Sequence, residues 1–484
     1  MSDLITVPET LASTAADVQN IGSAINEAGS SAAAPTTALL AAAEDEVSAA
    51  IANLFGGYGR EYQALLAQAT SFHSQFTQAL GAAAAAYAQA EAAGAALLGV
   101  APVTGGGSTG AVPLSVVQLP AGDPQFALIM GGTNNPLPDP KYVTNVFNAY
   151  IKPAFPAAIP QGLFTPEQFW PVTPNLGNMT FGQSVAKGVT LLNNAINSTL
   201  SDPSNSAVVF GYSQSATIAT NEIRNLMAAG SPIDPTRLSF VLIGDPNNPV
   251  GGILERFPGF YIPFLDVAFN GATPQSPWHT SVYTYQYDGI ADAPQYPLNL
   301  VSDLNAFMGY FFVHGQYPLL TATQVGTAVP LPTNGGNTDY YMFMTQNLPL
   351  LEPIRAIPYA GPPIADIFQP DLRVLVDLGY GDYGPGANYA NVPTPAGLFD
   401  LPNPFVVIPD LALGAVQGPY GAVVEIGVEA GLLSPSYFPN TYPWVPSINP
   451  GLNVSFGQSS TTLLSLLSGA TGNVLHLIPP PNFG

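Results

Sequence analysis

The stretch that decides the fold is Ala207-Val208-Val209-Phe210-Gly211-Tyr212-Ser213-Gln214-Ser215. Its four leading apolar residues predict a buried strand, and the pattern from Ala216 to Met227 predicts a helix directly after it. A serine on such a strand-to-helix turn projects its hydroxyl clear of the sheet, where a base can reach it. The usual form is Gly-x-Ser-x-Gly; here Ser215 replaces the last glycine with a residue still small enough for close helix–strand approach. Ser213 is therefore a candidate nucleophile, and the alternative is an ordinary turn with a solvent-facing serine.

A serine nucleophile needs a histidine base, which follows the acid in chain order in α/β-hydrolases. Of the four histidines, His314 is the only one well placed after Ser213. His73 lies in a helical region, His279 precedes the strand expected to carry the acid, and His476 lies near the C-terminus. His314 is therefore the predicted base; the alternative is a core histidine satisfied by a carbonyl group.

The acid is expected just past a strand end. The strand pattern that ends at Tyr287 leads into Asp288-Gly289-Ile290-Ala291-Asp292. We favour Asp288, because it comes first and has an apolar residue two positions on, as hydrolase acids often do. Asp292 remains the alternative, and whichever of the two is not the acid is expected to cap a turn. Asp245 follows an earlier strand and is interpreted as structural.

An oxyanion hole requires two backbone N–H groups, one after the nucleophile and one from a loop after an early strand. The first would come from Gln214. The second would come from Gly132 or Thr133, which follow the apolar strand 126–130. A doubled glycine at 131–132 would equally suit a simple tight turn.

The composition narrows the possible functions. Charged residues make up only 8% of the 484 residues, and 9 Lys+Arg against 31 Asp+Glu give a net charge of -22. Nucleic acid is an unsuitable partner, because binding phosphates requires clustered cations. Because the chain has no cysteine, disulfides and thiolate catalysis are excluded. The four histidines are scattered without metal-ligand spacing, so we expect no metal site, and we expect no other cofactor.

Residues 1–100 are predicted to form a two-helix hairpin. Apolar residues step by three and four from Leu4 to Ile25 and again from Leu40 to Tyr87, and a turn and a helix start are expected between residues 30 and 37. Two helices cannot enclose a core by themselves, so this hairpin is expected to pack on a second helix pair. The alternative is that it packs on the rest of its own chain.

The remaining chain divides into three parts. Residues 101–122 contain the glycine-rich run 105–110 and are predicted to form a linker. Residues 123–350 alternate helical patterns, near residues 142–150 and 184–200, with continuous apolar strands, at residues 126–130, 207–210, 238–243 and 282–287. This alternation predicts a parallel sheet covered on both faces, as in an α/β-hydrolase. Residues 351–484 form a Pro-, Gly- and Tyr-rich extension to which the sequence assigns no fold.

Targeting signals are few. The N-terminus lacks the basic residues of an ordinary cleaved signal peptide, and no stretch is interpreted as a transmembrane helix. Taken alone, these two features would indicate a cytoplasmic protein.

Two segments change that interpretation, because they resemble a known family. Residues 1–100 resemble the PE domain of mycobacterial PE proteins, with Pro8-Glu9 at the name-giving dipeptide. Tyr87 and Glu91 match the Tyr-x-x-x-Asp/Glu export motif of type VII secretion substrates, and their four-residue spacing places them on one helix face. The resemblance implies export to the cell surface, cell envelope or medium without a cleaved signal peptide, and a PPE-type helical partner on the hairpin. Whether the hairpin is removed after export stays open.

Residues 123–350 are similar to the PE-PPE domain, a serine α/β-hydrolase with a Gly-x-Ser-x-Ser elbow. The segments that carry the similarity are Gly211–Ser215, Met130–Thr133, Tyr287–Asp292 and Val313–Gly315. The resemblance implies ester hydrolysis or acyl transfer on lipids, without fixing the substrate.

Three functions stay open at this point. The first is an exported serine esterase or lipase that acts on lipid or glycolipid esters through Ser213, Asp288 and His314. The second is an acyltransferase of envelope glycolipids that uses the same residues, and the third is a non-catalytic surface protein. The complete Ser, Asp, His order favours an enzyme.

Overall fold

The computed structural model describes residues 125–481, residues 29–38 and isolated positions between residues 19 and 70. The chain divides into two compact units, residues 1–109 and residues 110–484. In the first unit, residues 29–37 are helical, where a turn and a helix start were predicted; the helix ends in a bend at Ala38. The Gln63 side chain donates a hydrogen bond to the Gly29 carbonyl at 3.1 Å. Most of the predicted hairpin, the Gly-rich linker, Tyr87 and Glu91 lie outside the described residues.

The second unit is built on a seven-stranded sheet flanked by helices. Its strands in chain order are β1 (Gln125–Ile129), β2 (Ile159–Gly162), β3 (Ser206–Tyr212), β4 (Leu238–Ile243), β7 (His279–Tyr285), β8 (Val329–Pro330) and β9 (Thr338–Phe343). A separate antiparallel pair is formed by β5 (Tyr261–Ile262) and β6 (Val267–Ala268).

The helices of the second unit connect and cover these strands. They are α1 (Pro140–Val146, continued by a π-helix to Ile151), α2 (Phe181–Leu200), α3 (Gln214–Ala228), α4 (Ile253–Arg256), α5 (Leu300–Phe312), α6 (Ala322–Val325), α7 (Glu352–Arg355), α8 (Gly361–Asp377), α9 (Pro404–Glu429) and α10 (Leu463–Leu475). Short 3-10 turns occupy His314–Leu319, Pro349–Leu351 and Pro435–Tyr437.

The sheet order is β2-β1-β3-β4-β7-β9-β8, and only the β8–β9 pair is antiparallel. Parallel strands with crossover helices bury both faces, which explains the continuous apolar runs read from the sequence. In β3, Val209 belongs to the core on one face, while Val208 and Phe210 belong to the core on the other. The strand order reverses between β1 and β3, and ligands of such sheets bind outside the carboxyl ends of the strands at this switch point.

Several predicted boundaries shift. The helix expected to begin at Ser184 begins at Phe181, because Thr180 and Gln183 form a capping box. The strand expected over residues 282–287 runs from His279 to Tyr285, so Asp288 follows it by three residues. The sequence interpretation missed β9, which pairs in parallel with β7 and extends the sheet.

The extension after residue 350 contains helices α7 to α10. Its longest helix, α9, packs along α8 through small residues: a Cβ on Gly418 would lie 2.2 Å from the Ile367 carbonyl oxygen. Among the described residues, α9 is the one helix long and apolar enough to cross a membrane, and a third of its apolar window is buried in the protein. The sequence interpretation named no transmembrane helix, and α9 meets that test by length and composition only.

Candidate active site

Ser213 occupies a strained turn between β3 and α3. Its backbone has φ 55° and ψ -115°, a conformation that non-glycine residues rarely adopt. The turn is tight enough that a Cβ on Gly211 would lie 2.7 Å from the Ser215 carbonyl oxygen. This steric limit explains the glycine two residues before the serine, and the turn leaves the Ser213 side chain at the carboxyl edge of the sheet.

Ser215 does more in this turn than provide a small side chain. Its hydroxyl accepts a hydrogen bond from the Tyr212 backbone N–H at 2.8 Å and donates one to the Tyr212 carbonyl at 3.2 Å. The side chain thus closes the turn across its base. The sequence interpretation recognised only that residue 215 is small.

His314 lies against Ser213. Its Nε2 is 2.8 Å from Ser213 Oγ, and the ring is buried. The backbone of His314 is held by the Tyr212 hydroxyl, which donates a hydrogen bond to its carbonyl oxygen at 2.7 Å. The rings of Tyr212 and Tyr310 stack near the imidazole, with centroid distances of 5.5 and 5.9 Å. Helix α5 ends two residues before His314 and thereby positions the histidine beside Ser213.

The structure brings Asp288 to His314. Its Oδ2 and Oδ1 lie 2.8 and 3.0 Å from His314 Nδ1, and its side chain is completely buried. Two further donors reach the same carboxylate: the Tyr317 hydroxyl at 2.8 Å from Oδ2 and the Ile290 N–H at 3.0 Å from Oδ1. Both carboxylate oxygens thus have hydrogen-bond partners, as buried polar groups require.

The Asp292 carboxylate has a different hydrogen-bond partner. Its Oδ2 accepts a hydrogen bond from the Tyr287 N–H at 2.7 Å, and burial raises its pKa to about 7. Asp245, interpreted as structural, accepts hydrogen bonds from the Thr273 hydroxyl and the Asn247 N–H. Neither carboxylate is hydrogen-bonded to His314 in the described part of the chain.

The predicted oxyanion-hole residues also meet at this edge. Thr133 donates its hydroxyl hydrogen to Gln214 Oε1 at 2.9 Å, which ties the loop after β1 to the first residue of α3. Within residues 125–481, the backbone N–H groups of Gly132, Thr133 and Gln214 donate to no other protein group. Free N–H groups beside a serine hydroxyl can bind a negatively charged oxygen.

The Gln214 side chain is itself held in place. Its Nε2 donates to the Gln168 carbonyl at 3.0 Å and to Ser184 Oγ at 2.9 Å. The loop after β1, the segment around Gln168 and helix α2 therefore converge on one amide. The sequence contains no signal for this contact, since its members are far apart along the chain.

Glu167 is a second feature that the sequence did not reveal. This buried residue has φ 48°, and its carbonyl accepts a hydrogen bond from the Asn134 N–H at 2.9 Å, next to the loop that carries Thr133. Its Oε1 accepts a hydrogen bond from the Thr165 hydroxyl, whereas Oε2 is buried without a partner among the residues that the structure describes. Burial raises the pKa of Glu167 to about 8, so this side chain is largely protonated at neutral pH.

Among the residues that the structure describes, no three or more His, Cys, Asp or Glu side chains are grouped to hold a metal ion. His279 pairs with Asp339 at 3.0 Å, and the His476 ring stacks on Tyr261.

Comparison with known proteins places the chain in a family. The model of the PE family matches residues 4–94, and that of the PE-PPE domain matches residues 156–381. PE family protein PE3 of Mycobacterium tuberculosis is 58% identical over 486 residues, which cover 99% of this chain and 100% of the relative. The chain belongs to the PE family. Its PE-PPE domain confirms the predicted α/β-hydrolase fold, and the match continues past residue 350 into the C-terminal extension.

Other relatives cover less of the chain. A protein named Esterase PE16, from the same organism, is 45% identical over 87% of this chain and 77% of its own length. PPE family protein PPE28 is 47% identical over 60% of this chain and 45% of its own length. Among solved structures, a cutinase-like protein from Cryptococcus sp. matches 35% of this PE protein and 79% of its own chain, with 21% identity and a TM-score of 0.24. With so low a TM-score, this structural similarity supports no inference about the present chain.

Proposed function

We propose that this PE protein is a serine esterase or lipase, with Ser213 as nucleophile, His314 as general base and Asp288 as the acid that orients it. The observation that carries the proposal is the unbroken hydrogen-bond chain from Ser213 Oγ through His314 to the Asp288 carboxylate. The relative named Esterase PE16 supports an ester as the substrate.

The proposed reaction proceeds through an acyl-enzyme. Ser213 Oγ attacks the acyl carbon while His314 Nε2 takes its proton. The carbonyl oxygen becomes an oxyanion, which the N–H groups of Gln214 and of Gly132 or Thr133 stabilise. His314 then protonates the leaving alcohol, and a water molecule activated by the same nitrogen releases the acid. Each oxyanion donor contributes about 10²–10³ in kcat in comparable enzymes.

Asp288 acts through His314 and not on the substrate. Its carboxylate holds the proton on Nδ1, so that Nε2 faces Ser213 as an acceptor. It also stabilises the imidazolium that forms when the serine proton is transferred. Asp292 is not assigned this role, because its carboxylate is bound to the Tyr287 N–H instead.

The test is hydrolysis of p-nitrophenyl butyrate by the full-length chain and its Ser213→Ala variant. The variant should lose hydrolysis and labelling by a fluorophosphonate probe while its circular dichroism spectrum stays that of the parent. Ser201→Ala, which removes an exposed hydroxyl after α2, is the matched control and should retain both. Parental activity in Ser213→Ala would overturn the proposal.

We further propose that residues 1–100 bind a PPE-type helical partner and that Tyr87 and Glu91 direct export through a type VII secretion system to the medium or the cell envelope. The match to the PE family over residues 4–94 supports this assignment. Tyr87→Ala should block secretion and leave the partner complex intact, whereas Gln89→Ala, on another face of the predicted helix, should be secreted. Normal secretion of Tyr87→Ala would refute the export role.

A further inference from the structure

Helix α5, which leads to His314, turns its small residues to the protein interior and its large apolar residues to solvent. An ordinary surface helix has the reverse arrangement. The buried face of α5 consists of Ser302, Asn305, Ala306 and Gly309. Its exposed face carries Leu300, Leu304, Phe307, Tyr310 and Phe311. A surface helix normally turns its apolar stripe to the core, so the exposed face of α5 is built to meet something apolar.

Close packing accounts for the small residues on the buried side. A Cβ on Gly309 would lie 1.8 Å from the Tyr287 carbonyl oxygen, and one on Gly289 would lie 2.3 Å from that of Ala306. The helix therefore rests directly on the segment that carries Asp288. Packing requirements explain the small side, but they do not explain large apolar residues on the other side.

The exposed face continues to the proposed base through rings in contact. Phe307 and Phe311 have centroids 5.1 Å apart, and Phe311 and Tyr310 are also 5.1 Å apart. Tyr310 in turn stacks near His314 at 5.9 Å. We call Phe307, Tyr310 and Phe311 the aromatic strip. It runs from the imidazole outward along the helix surface.

We propose that the aromatic strip is the site at which this enzyme docks on an uncharged or zwitterionic lipid surface, where it takes up an ester with a long acyl chain. This inference rests on the proposed function of Ser213 and His314. A lipid is the apolar partner that must approach His314 during the reaction, and the strip ends at that residue. Asp303 is the only charged residue in α5, and a chain of net charge -22 repels anionic surfaces.

The experiment compares Phe307→Gln/Phe311→Gln with the parent in the full-length protein. Glutamine keeps helix propensity and removes the aromatic surface. The two phenylalanines are 58% and 60% exposed. The matched control is Leu463→Gln/Leu466→Gln on α10, whose leucines are 57% and 61% exposed on a helix that packs on β5.

Two readouts are measured. The rate on dispersed p-nitrophenyl palmitate relative to p-nitrophenyl butyrate should fall at least tenfold in the phenylalanine variant and stay parental in the control. Flotation with phosphatidylcholine vesicles should fall by a similar factor. The vesicle assay is done in a Ser213→Ala background, so it tests docking even if the proposed hydrolysis proves wrong.

An unchanged rate ratio together with unchanged flotation would overturn the inference. A phenylalanine variant that keeps the parental rate ratio and flotation but no longer binds a PPE-type partner would also overturn it, since the strip would then be a protein-binding surface. If the control variant lost flotation as strongly as the phenylalanine variant, membrane binding would depend on exposed apolar residues in general and not on the aromatic strip.

Discussion

The Tyr317 hydroxyl donates a hydrogen bond to Asp288 Oδ2 at 2.8 Å and accepts one from the Tyr285 N–H at 2.7 Å. It thereby links the end of β7 to the carboxylate that faces His314. Tyr317 is completely buried, and burial raises its pKa well above the ordinary value, so that the hydroxyl keeps its proton as a donor. The carboxylate is held on one side by the histidine and on the other by this tyrosine.

Tyr317→Phe removes this donor without changing the ring. We expect kcat to fall about 10- to 100-fold with little change in KM, since one charge-assisted hydrogen bond contributes about 1.5–3 kcal/mol. Stability should also fall, because the Tyr285 N–H loses its partner. The measurement is steady-state kinetics together with thermal unfolding.

Tyr150→Phe is the control for that experiment. The Tyr150 hydroxyl donates to the Tyr317 carbonyl at 2.8 Å but does not touch Asp288. We expect its loss to lower stability and leave kcat near that of the parent. Equal kcat in Tyr317→Phe and Tyr150→Phe would show that Tyr317 is structural only.

The two acidic candidates should behave differently. Asp288→Asn should lower kcat by about 10⁴, as the equivalent substitution does in serine proteases, because the asparagine favours the wrong histidine tautomer. Asp292→Asn keeps an acceptor for the Tyr287 N–H and should alter kcat by less than about tenfold. Both variants are measured on p-nitrophenyl butyrate. If Asp292→Asn were the more damaged variant, the assignment of the acid would be reversed.

Thr133→Val tests the tie between the two sides of the proposed oxyanion hole. It replaces the hydroxyl with a methyl group of similar size and leaves Gln214 Oε1 without its donor. We expect a roughly tenfold loss of kcat, since displaced N–H groups bind the oxyanion less well. Thr133→Ser restores the hydroxyl and should recover most of the activity. If Thr133→Val were as active as Thr133→Ser, the Thr133 hydroxyl would not be needed to hold the proposed oxyanion hole.

Glu167 should make folding stability depend on pH. Its pKa is raised from 4.5 to about 8 in the folded chain, so the folded state holds an extra proton between these values and stability falls as pH rises through that window. Glu167→Gln removes the titration. Its free energy of unfolding relative to the parent should rise from pH 5 to pH 8 by a few kcal/mol, on the order of 1.4 kcal/mol per pKa unit.

Urea unfolding at pH 5, 6, 7 and 8 provides the measurement for Glu167. Asp234→Asn serves as the control: its carboxylate is exposed, and hydrogen bonds from Thr236 lower its pKa, so it is ionised in both states throughout this range. A Glu167→Gln profile parallel to that of the parent would mean that Glu167 is already ionised at neutral pH.

Local sequence was enough for the features that depend on neighbouring residues. The turn around Ser213 was predictable, because an apolar strand, a glycine that avoids a clash and a helical pattern follow one another directly. The strand β4 was predicted with its observed bounds, since an apolar run between turn residues favours a buried strand. The order of serine, aspartate and histidine was also visible in the chain.

Tertiary structure alone decided which groups meet. Asp288 and Asp292 are only four residues apart, with similar surroundings in sequence. The backbone turns directly before them at Tyr287, which has φ 68°, and Tyr317 reaches Asp288 from another segment. The inverted exposure of α5 likewise depends on Gly309 packing against Tyr287. Hydrogen bonds and close packing between distant segments depend on the path of the whole chain, whereas strand and helix patterns depend on neighbouring residues.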